Sequence, residues 1–206
     1  MSVDAVVARI AQLNSVLAPQ PATPVSTPQT AAPANATFAS LMGQATTGTA
    51  ATSALPATGG TPAGQAMVNL ARQEIGVAEQ PPGSNDSPRI AEYRSATAGS
   101  GVGPWCNYFV SWAAKQAGAP LGEQGQGFGA VAATWDWAQR TGRAMQPTAR
   151  PNPGDLVVWD GRHIGMVESV LPDGRIQTIE GNSSNMVTRR VHSADGDGAT
   201  GFVRMS

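Results

Sequence analysis

The chain has 206 residues, 41% of them apolar, with 13 basic side chains against 14 acidic ones and a net charge of −1. That is enough for one ordinary domain with a real core plus a tail, and scattered arginines with one lysine, Lys115, exclude the clustered basic face of a nucleic-acid binder. A single cysteine excludes an internal disulfide, and no stretch is apolar and long enough to span a bilayer.

Residues 1–17 lack the basic segment and continuous apolar block of a secretory signal. Val3, Val6, Val7, Ile10, Leu13 and Leu17 recur instead at helical spacing, which predicts a short amphipathic helix over residues 1–18. No charged residue occurs from Ile10 to Ala71, and residues 19–62 collapse to Ala, Thr, Pro, Ser, Gln and Gly. Such a segment cannot bury enough apolar surface to offset its ordering entropy, so residues 19–63 are expected to be a disordered linker. Phe38 to Met42 is a small apolar island within it.

The globular domain is expected over residues 64–206. Met67, Leu70, Ala71 and Ile75 set a helical period that ends before Pro81, and a short helical piece follows over residues 89–95. After the glycine-rich turn at 99–103, Pro104 introduces a helix whose apolar face is Phe109, Val110, Ala113, Ala114 and Ala117, and Gly118 stops it. A loop over 122–129 leads to a helix over 132–140 carrying Trp135 and Trp137. The texture then changes to β-rich runs over 155–159, 163–171, 175–180, 187–192 and 202–205, separated by turn signals such as Asp160-Gly161 and Asp173-Gly174. Helices first and an antiparallel sheet afterwards predict an α+β fold, with N-terminal helices packed on a C-terminal sheet.

Cys106 stands at the expected first turn of the Pro104 helix. The partial positive charge of a helix N-terminus favours thiolate, the nucleophilic form, although a lone cysteine can equally be a small buried hydrophobe. Thiol attack on an amide needs a base, which an imidazole supplies near neutral pH, and a polar group that orients the imidazole. His163 in H-I-G-M-V-E-S and the pair Glu180 and Asn182 in I-E-G-N are the candidates. The Cys106 N–H and the Asn182 side chain are candidate donors to an oxyanion.

Glu180 and Asn182 are two residues apart on a strand and are expected to share a face. A regular hairpin with Leu171 opposite Arg175 places His163 on the other face, so the scheme requires a bulge, a longer connection, or His163 just outside the ladder. His192 reads as a surface residue, the tryptophans mainly as core, and Asp195-Gly196-Asp197-Gly198 as a loop rather than a calcium site.

The ordered motifs W-C-N-Y-F-V-S-W-A, P-G-D-L-V-V-W, H-I-G-M-V-E and I-E-G-N-S resemble the cysteine, histidine-dependent amidohydrolase/peptidase group, the CHAP domains, from about Gly64 to the C-terminus. W-C-N-Y, in place of D-C-S-G, separates the chain from a related hydrolase family. The resemblance implies a papain-like fold and cleavage of amide bonds in peptidoglycan, by a muramoyl-alanine amidase or an endopeptidase, with no metal or cofactor. It implies Cys106 as nucleophile, His163 as general base, Glu180 as the residue orienting the imidazole and Asn182 as a supporting amide. Peptidoglycan is then the partner, the protein is expected to be a monomer, and its place is the envelope or the exterior.

A non-enzymatic envelope assembly protein is the alternative, because residues 1–63 are similar to the leader segments of some secreted flagellar components. Flagellar or other export machinery would then be a partner, and export would need no cleaved signal.

Overall fold

The computed structural model describes residues 59–205. The helix expected over 1–18 and all but the last five residues of the expected linker lie outside the described residues. The described part is α+β, helices preceding the sheet, as the sequence predicts. Among the described residues no helix is long and apolar enough to cross a membrane.

Helix α1 spans Pro62–Gln73, so Pro62 and Ala63 already belong to its first turn. Thr61 caps it, its Oγ1 accepting from Gly64 N–H at 3.0 Å and donating to the Met205 carbonyl at 3.0 Å, which ties the domain's start to its end. Helix α2, Pro88–Arg94, is capped in the same way by Ser87. Both begin with proline, whose missing N–H costs nothing in a first turn. Helix α3, Cys106–Gln116, carries no charge before Lys115, and every residue from Cys106 to Ala114 is buried. It is the central helix, packed on α1, α2 and the sheet. Its Phe109 and Trp112 stack on each other and meet Tyr93 of α2 edge-on and at a tilt, respectively. Each such side chain contributes roughly 1.5–3 kcal/mol through burial. Helix α4, Val131–Arg140, completes the layer.

The strands are β1 (Ala144–Met145), β2 (Leu156–Trp159), β3 (His163–Val170), β4 (Ile176–Ser183), β5 (Met186–His192) and β6 (Gly201–Val203). They form one antiparallel sheet in the order β1-β6-β2-β3-β4-β5. Leu156, Ile164, Met166 and Ile179 pack toward the helices. Val157, Val167, Ile176 and Phe202 form a second, smaller core on the opposite face.

Two irregularities in the sheet change which face its polar side chains take. Between β3 and β4 the pairing runs Val170↔Ile176 and Ser169↔Gln177, then Val167↔Thr178 and Met166↔Ile179, so Glu168 is an extra residue. The buried Glu168 carboxylate is gripped by Arg72 of α1 (2.6 Å), Arg189 of β5 (2.7 and 2.9 Å) and Gln177 of β4 (2.7 Å). The second irregularity lies in β4 between Glu180 and Ser183, where Asn182 takes a left-handed φ of 55°, a region that asparagine tolerates better than most residues.

Candidate active site

Cys106 is the first residue of α3 and only 3% exposed. No side chain caps the helix in the usual way. The Trp105 N–H donates instead to Asn182 Oδ1 at 3.3 Å, and the Trp105 indole N–H donates to Glu79 Oε1 at 2.9 Å. The first helical hydrogen bond runs from Phe109 N–H to the Trp105 carbonyl, so the N–H groups of Cys106, Asn107 and Tyr108 precede the ladder and give this end its positive potential.

His163 is the first residue of β3. Its Nε2 lies 2.9 Å from Glu180 Oε2, which leaves Nδ1 free to face Cys106, a residue close enough to raise the pKa of the ring; the thiol itself donates to the Arg162 carbonyl at 3.9 Å. The bulge at Glu168 makes the Glu180 contact possible. Without it Glu180 would pair with Met166, whose side chain faces the helices, and His163 would lie on the wrong side. With the one-residue slip Glu180 falls opposite Gly165, on the face that carries His163. Of a bulge, a longer connection and a place for His163 outside the ladder, the bulge is what occurs, and His163 stays in the ladder opposite Trp159. Trp159 of β2, paired with His163 in register, stacks on its ring with centroids 5.4 Å apart.

Glu180 Oε1 accepts from the Thr178 hydroxyl at 2.6 Å and lies 2.7 Å from His192 Nε2. Burial pushes the Glu180 carboxyl up, but His163, His192 and Thr178 together outweigh it and hold its pKa at about 2. Burial pushes His163 down, while Cys106 and Glu180 outweigh it and raise its pKa to about 9. At neutral pH the site therefore holds a carboxylate and an imidazolium beside a sulfur at a helix N-terminus.

Asn182 does not join Glu180 on a common face. The irregularity at 181–182 breaks the strand alternation, and the Asn182 amide donates to Glu79 Oε1 at 2.9 Å and to Asn85 Oδ1 at 3.4 Å. It fastens the start of α3, and its N–H groups are turned to Glu79 rather than toward an oxyanion. Gly181, between the two, lets α3 approach β4: a Cβ there would stand 2.7 Å from Phe109 Cβ and 2.9 Å from the Trp105 ring.

His192, read from the sequence as a surface residue, is instead part of the Glu180 network. Glu79 and Asn107 also contribute, although no sequence pattern used above singles them out. The Asn107 amide donates to the Phe128 and Ala130 carbonyls and to Thr134 Oγ1, fixing the segment opposite the thiol. Its place beside Cys106 in W-C-N-Y is the available signal. Trp105, Trp112 and Trp137 are core residues, whereas Trp159 touches the site.

A groove of about 460 Å³ opens at the sulfur, lined by Pro104, Cys106, Tyr108, Gly129, Ala130 and Arg162 among others. The Tyr108 hydroxyl donates to the Gly101 carbonyl at 3.0 Å and holds one rim. A larger concavity of about 590 Å³, between Pro147–Pro151 and Pro172–Gly174, contains none of these residues. No group of acidic, histidine or cysteine side chains suited to a metal ion occurs among the described residues.

No curated protein and no solved structure matches the chain. Residues 97–182, a span that holds Cys106, His163, Glu180 and Asn182, match the family model described as CHAP domain, which supports a CHAP-domain protein.

Proposed function

We propose that this protein hydrolyses amide bonds in the peptide part of peptidoglycan, with Cys106 as nucleophile and His163 as the acid and base. The observation that carries the reading is the chain of contacts from the Cys106 thiol through the His163 ring to Glu180, at a helix N-terminus beside an open groove. CHAP domains act in general as amidases and peptidases on the cell wall.

The Cys106 thiolate attacks the amide carbonyl carbon, and the developing oxyanion faces the Cys106 N–H, in the positive potential of the α3 start. The His163 imidazolium gives its proton to the departing amine as the C–N bond breaks, leaving a thioester. Neutral His163 then takes a proton from water, the hydroxide adds to the thioester, and the C–S bond breaks to release the acid and restore the thiolate–imidazolium pair. Glu180 holds the ring for both steps and stabilises its charge. Such a substrate puts the site of action in the envelope or outside the cell.

Full-length protein and its Cys106→Ala variant, incubated with purified cell walls, test the reading. Wild type is expected to release soluble muropeptides and the variant none, with equal circular dichroism. Mass spectrometry of new N-termini separates amidase from endopeptidase cleavage. Undiminished clearing by Cys106→Ala would overturn the assignment.

A further inference from the structure

Glu180 carries a second imidazole. His192 Nε2 lies 2.7 Å from Glu180 Oε1, and His192 Nδ1 lies 2.9 Å from Asp197 Oδ2. A ring with a carboxylate oxygen on each nitrogen satisfies both contacts only when both nitrogens carry hydrogen, that is, as imidazolium. Asp197 is itself fixed: its Oδ1 accepts from Ser193 N–H at 2.9 Å, and its own N–H donates to Ser193 Oγ at 2.9 Å. The Trp159 indole spans both histidines, with centroids 5.4 Å from His163 and 5.0 Å from His192, and its N–H donates to the Gly196 carbonyl at 2.6 Å. One indole thus locks the Asp197 loop and faces two cations. His192 and Asp197 both lie beyond the span that the CHAP family model matches.

We propose that His192 and Asp197 extend the site: Asp197 holds His192 as an imidazolium, and His192 positions the Glu180 carboxylate for His163 and shares its charge. This deepens the reading of Cys106 and His163 as a hydrolytic pair. The charged groups facing His192 are Glu180 from β4 and Asp197 from the loop after β5, with His163 of β3 on the far side of Glu180; β2 contributes the uncharged Trp159. The consequence is a tuned His163. A carboxylate given wholly to His163 would bind its proton more tightly, and a second imidazolium on the other oxygen weakens that hold. His192 is in this sense a positioning residue, since it acts on the sulfur only through Glu180 and His163. Hydrogen bonding to Glu180, against a smaller opposing effect of burial, and to Asp197 raises the His192 pKa in accord with this.

The chain has only two histidines, so their ring proton signals are assigned by one substitution. NMR titrations of full-length wild type, His192→Gln and Asp197→Asn, with the pH dependence of Cys106 alkylation by iodoacetamide, read the coupling without any peptidoglycan. In wild type His192 is expected to titrate well above pH 6.5. In His192→Gln, which keeps an amide donor and removes the charge, the His163 step and the alkaline limb of alkylation are expected to move up by about one pH unit. In Asp197→Asn, where an exposed partner changes, the His192 step is expected to fall, which keeps the test decisive if His192→Gln fails to fold. A His192 step near pH 6.5 in wild type, or a His163 step unmoved by His192→Gln, overturns the proposal and leaves the hydrolytic reading standing.

Discussion

The Glu180 side chain lies across Gly165 of the neighbouring strand: a Cβ on Gly165 would stand 2.8 Å from Glu180 Cγ. Only glycine leaves room for the carboxylate to cross β3 and meet His163. Gly165→Ala is therefore expected to push Glu180 off the imidazole. Displacements of about 1 Å in such a constellation cost on the order of a hundredfold in rate. Wall digestion assays should show that loss, with the far-ultraviolet circular dichroism unchanged; full activity in Gly165→Ala would contradict the role given to the crossing.

Glu168 decides the register that puts Gly165 there. Its carboxylate is buried, while Arg72 and Arg189 are 33% and 47% exposed, so the loss on Glu168→Gln is held to about 2–3 kcal/mol by solvation of the freed arginines. Urea unfolding of the variant against wild type measures it, and activity is expected to fall with it because the bulge loses its anchor.

Acid should weaken the fold in a defined window. Burial pushes the Glu168 carboxyl up, but Arg189, Arg72 and Gln177 outweigh it and hold its pKa at about 2 against an ordinary 4.5; Glu180 is also held at about 2. A depressed folded-state pKa contributes stability that is full above the unfolded value and lost as pH falls through the folded one. The urea midpoint is expected to drop as pH falls from about 4.5 to about 2, and Glu168→Gln should flatten that drop.

Activity should fail at the other end of the scale. The active form pairs thiolate with imidazolium, and His163 titrates at about 9, so hydrolysis is expected to decline as pH rises through about 9. The raised pKa also means that the stability from the charged ring is full below 6.5 and lost through the same limb. A pH profile of kcat/KM with the alkaline limb below pH 7 would be inconsistent with the Glu180 contact.

Asn182→Gly isolates the amide from the backbone, because glycine accepts the left-handed φ at this position without strain. The Trp105 N–H then loses its cap and Glu79 Oε1 loses a donor. The expected cost is about 1–2 kcal/mol in stability, with slower alkylation of Cys106 as the α3 start loosens. Thermal melting and iodoacetamide kinetics check the two parts separately.

Most elements were legible because each carries its own period or punctuation. The apolar spacing from Met67 to Ile75 marks one helix, Gly118 closes another, and turn signals separate the strand runs from Leu156 to His192, whereas Pro62, read as part of the linker, in fact opens α1. The exception is β1, whose two residues pair with β6 and are too few to show alternation. Cys106, His163 and Glu180 were legible as residue types in order, and the need for a bulge followed from counting pairs back from Leu171.

The sequence by itself determined the α+β order, the helix with an apolar face that carries the cysteine in its first turn, and the residues with chemistry to offer. Tertiary structure decided how they meet. The bulge sits at Glu168 because Arg72, 96 residues earlier, and Arg189 on β5 converge on that carboxylate. Asn182 turns to the helix start because Glu79 and Trp105 wait there. His192 joins Glu180 because two strands and a loop fold over Trp159. Local patterns encode which face a side chain takes only while the ladder is regular; once long-range ion pairs insert a residue, the face depends on partners that no local window contains.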